Sequence, residues 1–372
     1  MTVAAVASPA RPASARIESL DFIRGACLIV IAFDHISSFS RKLGYTGREF
    51  FTPTTLGYSS AAELFLFVSG VLIGILHTRP GVSFSKRFVK LSHRAGHLYL
   101  YNALAFVVLL AATTGLATYA MEALELSRFA HRPGESTIDF LLMSSSPPLL
   151  DILSLYVCFL LVSVLFVPLS LRSPALAFAL SLLLYAVCQW PPARQALGLQ
   201  AEGQGLNPYA WQLCFMAGVV CGQLGLLARL EALMRQKPAV ILTISALAIM
   251  TLAFVADRKL GLTDAWWWDK HELGVFRIPH AALVLAAYIW LSCLLRDPRM
   301  PAVARWLHEA LASMGRHSLE VFTVGIALTY AVSLLVGELR PNTAVFYLIL
   351  AGVAIVLWLF ARYLEWRRAV AR

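Results

Sequence analysis

Two ionisable side chains, Arg24 and His35, stand in the first apolar stretch of the chain, in the segment RGACLIVIAFDH. At about 100° and 1.5 Å per residue, a helix brings them to nearly the same face, about 16 Å apart along the axis. An imidazole exchanges protons near neutral pH, and a guanidinium binds phosphates and carboxylates. A charge facing lipid costs at least a few kcal/mol, so we expect both side chains to face the interior of a helical bundle.

Simpler roles for these two residues remain open from the sequence. An arginine near a helix end can extend its guanidinium to the lipid headgroups. A buried histidine can simply bond to a neighbour such as Asp34. Asp34 could also orient His35, although on an ideal helix it points about 100° away.

A carboxylate in the second apolar stretch, AAELFLFVSGVLIGIL, is a third candidate. Glu63 shares a helical stripe with Phe67, Gly70 and Gly74, and the two glycines allow another helix to approach closely. Glu63 lies near the external end of this span, at a depth similar to that of His35. It could orient His35, or it could be an ordinary interfacial carboxylate.

The next segment, KRFVKLSHRAGHLYLYN, is strongly basic, with Arg87, Lys90 and Arg94 among its cations. Such a cluster could form a vestibule for an anionic cytosolic donor, since arginine forks suit phosphate. The alternative is that these residues only mark the cytosolic side, where Lys and Arg accumulate.

Aromatic and amide side chains on the opposite side are candidates for acceptor binding. Trp211 and Gln212 begin the span NPYAWQLCFMAGVVCG, and Trp267 lies in the loop at 257–277, which mixes aromatics with charges. These side chains could stack on sugar rings and bond their hydroxyls. The alternatives are that Trp211 is an interfacial anchor and that the loop belongs to an ordinary aromatic belt.

The composition of the chain indicates the kind of fold that must position these residues. Of the 372 residues, 59% are hydrophobic and 14% are charged, against about 25% charged in soluble domains. This predicts an all-α, polytopic integral membrane bundle of about ten transmembrane helices, each needing roughly 20 apolar residues. The predicted spans are 19–39, 58–76, 98–120, 149–171, 174–190, 209–227, 238–256, 279–295, 318–337 and 343–364.

The segments outside these spans are predicted from charge and composition. With both termini cytosolic, the cytosolic segments hold 18 Lys and Arg and the opposite ones 11, as the positive-inside rule requires. The expected organisation is a disordered tail at 1–18, a ten-span domain at 19–366 and a basic tail at 367–372. The amphipathic segment at 301–314 is expected to lie at the membrane interface.

Other binding classes find little support in the sequence. The net charge of +10 is explained by cytosolic loops, and we expect no nucleic-acid partner. All six cysteines stand in apolar runs without a C-x-x-C pair, so neither disulfides nor a metal site is expected.

Several motifs together resemble the membrane acyltransferase-3 superfamily. LDFIRGACLIVIAFDHI (20–36) is similar to its Arg-x10-His pattern, and LFLFVSGVLIG (64–74) to its Phe-rich Ser-Gly motif, which contains Ser69. RAGHLYLY (94–101) resembles a further motif in which Arg94 matches, while His97 replaces an arginine and Leu100 a proline. With NPYAWQLCFMAGVVCG and GRHSLEVF (315–322), the likeness is closest to the OpgC branch and covers nearly the whole chain.

The resemblance implies acyl transfer across a bacterial inner membrane, from cytosolic acyl-CoA to a glycan on the far side. For the OpgC branch it implies succinyl groups placed on periplasmic glucans, with no bound cofactor and with glucan-synthesis or export proteins as possible partners. His35 becomes the candidate general base and Arg24 the candidate donor residue, with Asp34 and Glu63 as helpers. Ser69 joins Arg87, Lys90 and Arg94 on the donor side.

Three other functions remain open from the sequence. One is O-acetyl transfer to another envelope polysaccharide. A secondary transporter also buries ionisable groups, but paired Gly/Pro-interrupted spans are not evident here. The third is a non-catalytic partner of glucan export.

Overall fold

The computed structural model describes residues 18–79, 81–199 and 205–371, and within them the chain is helical without strands. This confirms the predicted all-α membrane bundle. The predicted N-terminal tail lies outside the described residues, apart from Glu18. The helices are α1 (Glu18–Lys42), α2 (Ala61–His77), α3 (Phe84–Thr113), α4 (Thr118–Ala123), α5 (Ser127–His131), α6 (Pro133–Leu141), α7 (Asp151–Arg172), α8 (Pro174–Cys188), α9 (Pro191–Ala196), α10 (Pro208–Leu224), α11 (Leu226–Leu233), α12 (Lys237–Leu260), α13 (Arg277–Leu295), α14 (Ala302–Arg316), α15 (Ser318–Leu339) and α16 (Thr343–Val370), with one 3₁₀ turn at Ala265–Trp267.

An apolar helix occupies each of the ten predicted spans, but the ten differ in length. Seven helices in the described residues are long and apolar enough to cross a membrane, or eight if α10 and α11 form one bent span. The helices α2 and α8 are apolar but have only 17 and 15 residues, below the roughly 20 that a perpendicular crossing needs.

Three predicted boundaries differ from the structure for identifiable reasons. The basic segment before residue 98 is helical and not a loop, because Ser83 caps α3 and accepts a hydrogen bond from the backbone N–H of Lys86. The span predicted at 209–227 ends at Gly225, whose φ of 66° stops α10, and α11 continues at an angle of 84°. Residues 367–370 of the predicted basic tail continue the helix α16.

The helix α1 lies at the centre of the bundle and packs against α2, α13, α14 and α15. Its contact with α14 is close: a Cβ atom on Gly25 would lie 1.9 Å from the carbonyl oxygen of Leu311. The amphipathic helix α14 therefore uses its small residues to pack on α1, while Val303 and Trp306 stay exposed on its other face. This placement holds the Arg24 end of α1 inside the protein.

The helices α2 and α10 cross through glycines on both partners. Added Cβ atoms on Gly70 and Gly74 would lie 2.0 and 2.1 Å from carbonyl oxygens of α10, and Gly218 and Gly222 meet α2 in the same way. The close approach expected from the glycine stripe is therefore present. In contrast, α12 buries only 6% of its most apolar window, as expected for a helix that faces lipid.

Candidate active site

A cavity of about 980 Å³ opens at the end of the bundle where α1 ends and α2 and α7 begin. Its walls come from the second half of α1, the loop before α2, the short helices α4 and α5, the start of α7 and the loop before α13. Hydroxyl, carboxylate and ammonium groups line it beside aromatic rings. A space of this size is typical of small-molecule sites, and its polar groups beside aromatic rings suit a sugar.

His35 lines this cavity in an orientation set by its own helix. Its Nδ1 atom lies 2.9 Å from the carbonyl oxygen of Ile31, one turn earlier. A carbonyl oxygen can only accept, so Nδ1 carries the proton in the neutral imidazole. Nε2 then keeps its lone pair and can take a proton from a group bound in the cavity.

Asp34 lines the same cavity but does not orient His35. Its carboxylate accepts a hydrogen bond of 2.5 Å from the hydroxyl of Thr52, which lies in the loop before α2. Asp34 therefore holds that loop against α1. The carboxylate of Asp151, which the sequence analysis missed, also lines the cavity and accepts from the backbone N–H of Ile152 at the start of α7. A carboxylate directly before the apolar run ILSLYVCFLL was the available signal.

Glu63 is buried and bound to partners other than His35. One carboxylate oxygen lies 2.5 Å from Nη2 of Arg277 and accepts from its Nε at 2.6 Å. The other accepts from the backbone N–H and the hydroxyl of Ser60, which caps α2. Ser60 also lines the cavity. Glu63 and Arg277 therefore hold a residue of the cavity wall in place. Within the described residues Glu63 makes no hydrogen bond to His35, so the structure does not support the prediction that it orients His35.

Two buried residues of the segment FRIPH were not among the sequence candidates: Arg277, the last residue of the aromatic loop, and His280, at the start of the next predicted span. Nδ1 of His280 lies 2.7 Å from the hydroxyl of Ser59. Both residues are buried and belong to α13. Together they anchor the loop before α2 to α13.

Arg24 lies at the other end of α1, within electrostatic range of Arg94, Tyr156 and Asp21. Nη2 of Arg94 donates a hydrogen bond of 3.0 Å to the hydroxyl of Tyr156. The buried Nε of Arg24 has no hydrogen-bond partner among the described residues. Two guanidinium groups and a free N–H donor make this cluster suited to an anion.

Comparison with known protein families identifies the chain. Residues 16–369 match the family described as OpgC protein. The chain belongs to the OpgC family. No curated protein and no solved structure shows a significant match to it. The family match confirms the resemblance found in the sequence and supports a glucan-modifying role of the OpgC type.

The remaining donor-side residues of this OpgC family member differ in burial and in hydrogen bonding. Arg87 is buried and donates to the carbonyl oxygens of His77 at 2.9 Å and Arg79 at 3.1 Å. It thereby ties α3 to the end of α2, a structural role. Lys90 is exposed, and the hydroxyl of Ser69 is fully buried without a hydrogen-bond partner in the described residues.

The structure does not support acceptor binding by the residues predicted for it. Trp211 is fully buried, and its indole N–H donates to the backbone carbonyls of Lys270 and His271. Gln212 is buried between helices, where its amide exchanges two hydrogen bonds with Ser181. An indole N–H or an amide inside an apolar bundle needs a protein partner, and both have one.

Trp267, also predicted to bind acceptor, stacks between Trp266 and Phe276, with ring centroids 4.3 and 5.4 Å apart. It is not among the residues that line the cavity, whereas Lys270 and His271 of the same loop are. Among the described residues, no group of three or more His, Cys, Asp and Glu side chains is arranged to hold a metal ion.

Proposed function

We propose that this OpgC family protein is a transmembrane acyltransferase that moves an acyl group from cytosolic acyl-CoA to hydroxyl groups of a periplasmic glucan. The observation that carries the proposal is the arrangement on α1. At one end, His35 lines the cavity, and its Nε2 has no hydrogen-bond partner among the described residues; the Arg24 cluster lies about 16 Å away at the other end. One helix therefore joins a proton acceptor to an anion-binding group.

The proposed reaction is direct transfer. A glucan hydroxyl bound in the cavity attacks the thioester carbonyl, forming a C–O bond as the C–S bond breaks. The hydroxyl proton passes to Nε2 of His35 and then to the departing thiolate of coenzyme A. A positioned base of this kind typically contributes 10²- to 10⁴-fold to the rate.

The proposed donor is succinyl-CoA, with acetyl-CoA as the alternative. Arg24 and Arg94 are suited to bind the donor phosphates, at the end of α1 away from the thioester. The unpartnered Nε of Arg24 supports this role, since a buried N–H without a partner is costly. No resident cofactor is needed for the proposed chemistry.

The proposed location is the bacterial inner membrane, with both termini in the cytosol and the cavity facing the periplasm. The proposed substrates are acyl-CoA and glucan, with proteins of glucan synthesis or export as further partners. The charge bias between the two sides supports this orientation, and the long apolar helices establish a membrane protein.

Mass spectrometry of periplasmic glucans tests the proposal in cells with the intact chain, without it, and with His35→Gln. We expect acyl substituents only with the intact chain, and their mass identifies succinyl or acetyl. Loss of the glucans themselves from the periplasm, with unsubstituted glucan retained in the cell, would instead indicate transport or export. Purified protein that accelerates acyl-CoA hydrolysis would further separate an acyltransferase from a transporter.

A further inference from the structure

The lysines and arginines that line the cavity differ in whether a carboxylate already pairs with their charge. Arg41 pairs with Glu49, Lys42 with Glu125 and Arg128 with Asp139. Lys270 has neither an ion pair nor a hydrogen bond to its ammonium group within the described residues. Of the lysines and arginines described in this wall, Lys270 is therefore the one whose charge is available to a ligand.

Lys270 lies in electrostatic range of His35, Asp34 and Asp151. Both carboxylates already accept hydrogen bonds, Asp34 from Thr52 and Asp151 from the N–H of Ile152. Lys270 thus stands on the His35 side of the cavity with its N–H donors free.

The backbone at Lys270 is held in place. Its carbonyl oxygen accepts a hydrogen bond of 2.9 Å from the fully buried indole of Trp211. Asp269 accepts from the backbone N–H groups of His271 and Glu272, which closes a tight turn around the lysine. The ammonium therefore starts from an anchored position, which lowers the entropy lost when it binds a ligand.

The direction of the donor follows from the proposed function, on which this inference rests. If coenzyme A approaches from the Arg24 end, the thioester reaches His35 with its sulfur towards that end. The distal end of the acyl group then points into the cavity. We propose that Lys270 binds the free carboxylate of a dicarboxylic acyl group there and so selects succinyl-type donors over acetyl donors.

Donor competition tests this assignment in membranes that contain the full chain, with succinyl-CoA or acetyl-CoA and unsubstituted glucan. We expect Lys270→Met to lower kcat/KM for succinyl-CoA about 10- to 100-fold, the usual range for one lost charge-assisted hydrogen bond. The value for acetyl-CoA should change less than about threefold, since an acetyl group carries no carboxylate. Lys270→Arg should keep most of the succinyl preference, and Lys259→Met, an exposed lysine on α12 outside the cavity wall, should match wild type.

The outcomes separate the two proposals. A wild-type chain that transfers neither acyl group refutes the proposed function, and the Lys270 assignment with it. A wild-type chain that transfers succinyl, with an unchanged donor ratio in Lys270→Met, refutes only the Lys270 assignment. Equal losses with both donors do the same, because they indicate a role in acceptor binding or folding. Lys270→Gln, checked by size-exclusion chromatography, provides a second neutral variant.

Discussion

Nδ1 of His35 lies 2.9 Å from the carbonyl oxygen of Ile31, four residues earlier in the same helix. This contact replaces the carboxylate that commonly orients a catalytic histidine. Nε2 of this cavity-lining residue is bonded to no carboxylate in the part of the chain that the structure describes. His131 has the same contact with Ser127 on the short helix α5, outside the cavity wall.

We expect His35→Gln to reduce glucan acylation about 10²- to 10⁴-fold, because glutamine keeps most of the volume but cannot act as a base. His35→Ala should lose at least as much. The measurement is the acyl content of periplasmic glucan, with expression level and size-exclusion profile as checks on folding. His131→Gln is the matched control and should behave as wild type. Near-normal acylation in His35→Gln would leave His35 as a core residue.

For Arg24→Lys we expect weaker use of the donor than of the acceptor. Lysine keeps the charge but lacks the fork that binds two oxygens at once. The apparent KM for acyl-CoA in membranes should rise, by about tenfold for the loss of one such bond. Arg229→Lys, on the exposed face of α11, is the control. Unchanged donor KM and kcat in Arg24→Lys would remove Arg24 from the donor site.

The pair of Glu63 and Arg277 should contribute to stability more than to chemistry. Replacing one member leaves a buried charge without its partner, at a cost of about 3–5 kcal/mol. We expect Glu63→Gln and Arg277→Met each to lower the Tm of the purified protein, and the double variant to recover part of it. Activity should follow the folded fraction. A stable double variant without any activity would show that Glu63 or Arg277 acts in catalysis.

Glycines at different places should respond oppositely to alanine. A Cβ on Gly70 would lie 2.0 Å from the carbonyl oxygen of Phe215, so Gly70→Ala must separate α2 from α10 and should lower Tm. Gly96 lies on the exposed side of α3 with nothing within 4 Å of an added Cβ. Gly96→Ala should therefore stabilise the protein by up to about 1 kcal/mol. Equal Tm values for the two variants would argue against this helix crossing.

Reporter fusions at the C-terminus test the orientation. We expect a cytosol-dependent reporter to be active there and a periplasm-dependent one to be silent, because more Lys and Arg lie on the side of the termini. Activity of the periplasmic reporter would show that the bundle has the opposite orientation, with the His35 cavity on the cytosolic side.

The sequence alone was sufficient for the membrane class, the places of the apolar helices and the family. All of these depend on local quantities: hydropathy over a window, helical period and motif order. Even the close approach of α2 to another helix was predictable, since glycines at Gly70 and Gly74 permit it wherever the partner stands.

Only the tertiary structure decided which side chains are free and which are already bonded. Glu63 could not be assigned to Arg277, 214 residues away, because a buried charge takes whichever partner the packing brings near. Trp211 and Gln212 had the composition of a sugar site, yet inside the bundle their N–H groups are satisfied by a loop and by Ser181. Lys270 gained its position because that same loop is held by Trp211, a long-range contact that no local pattern encodes.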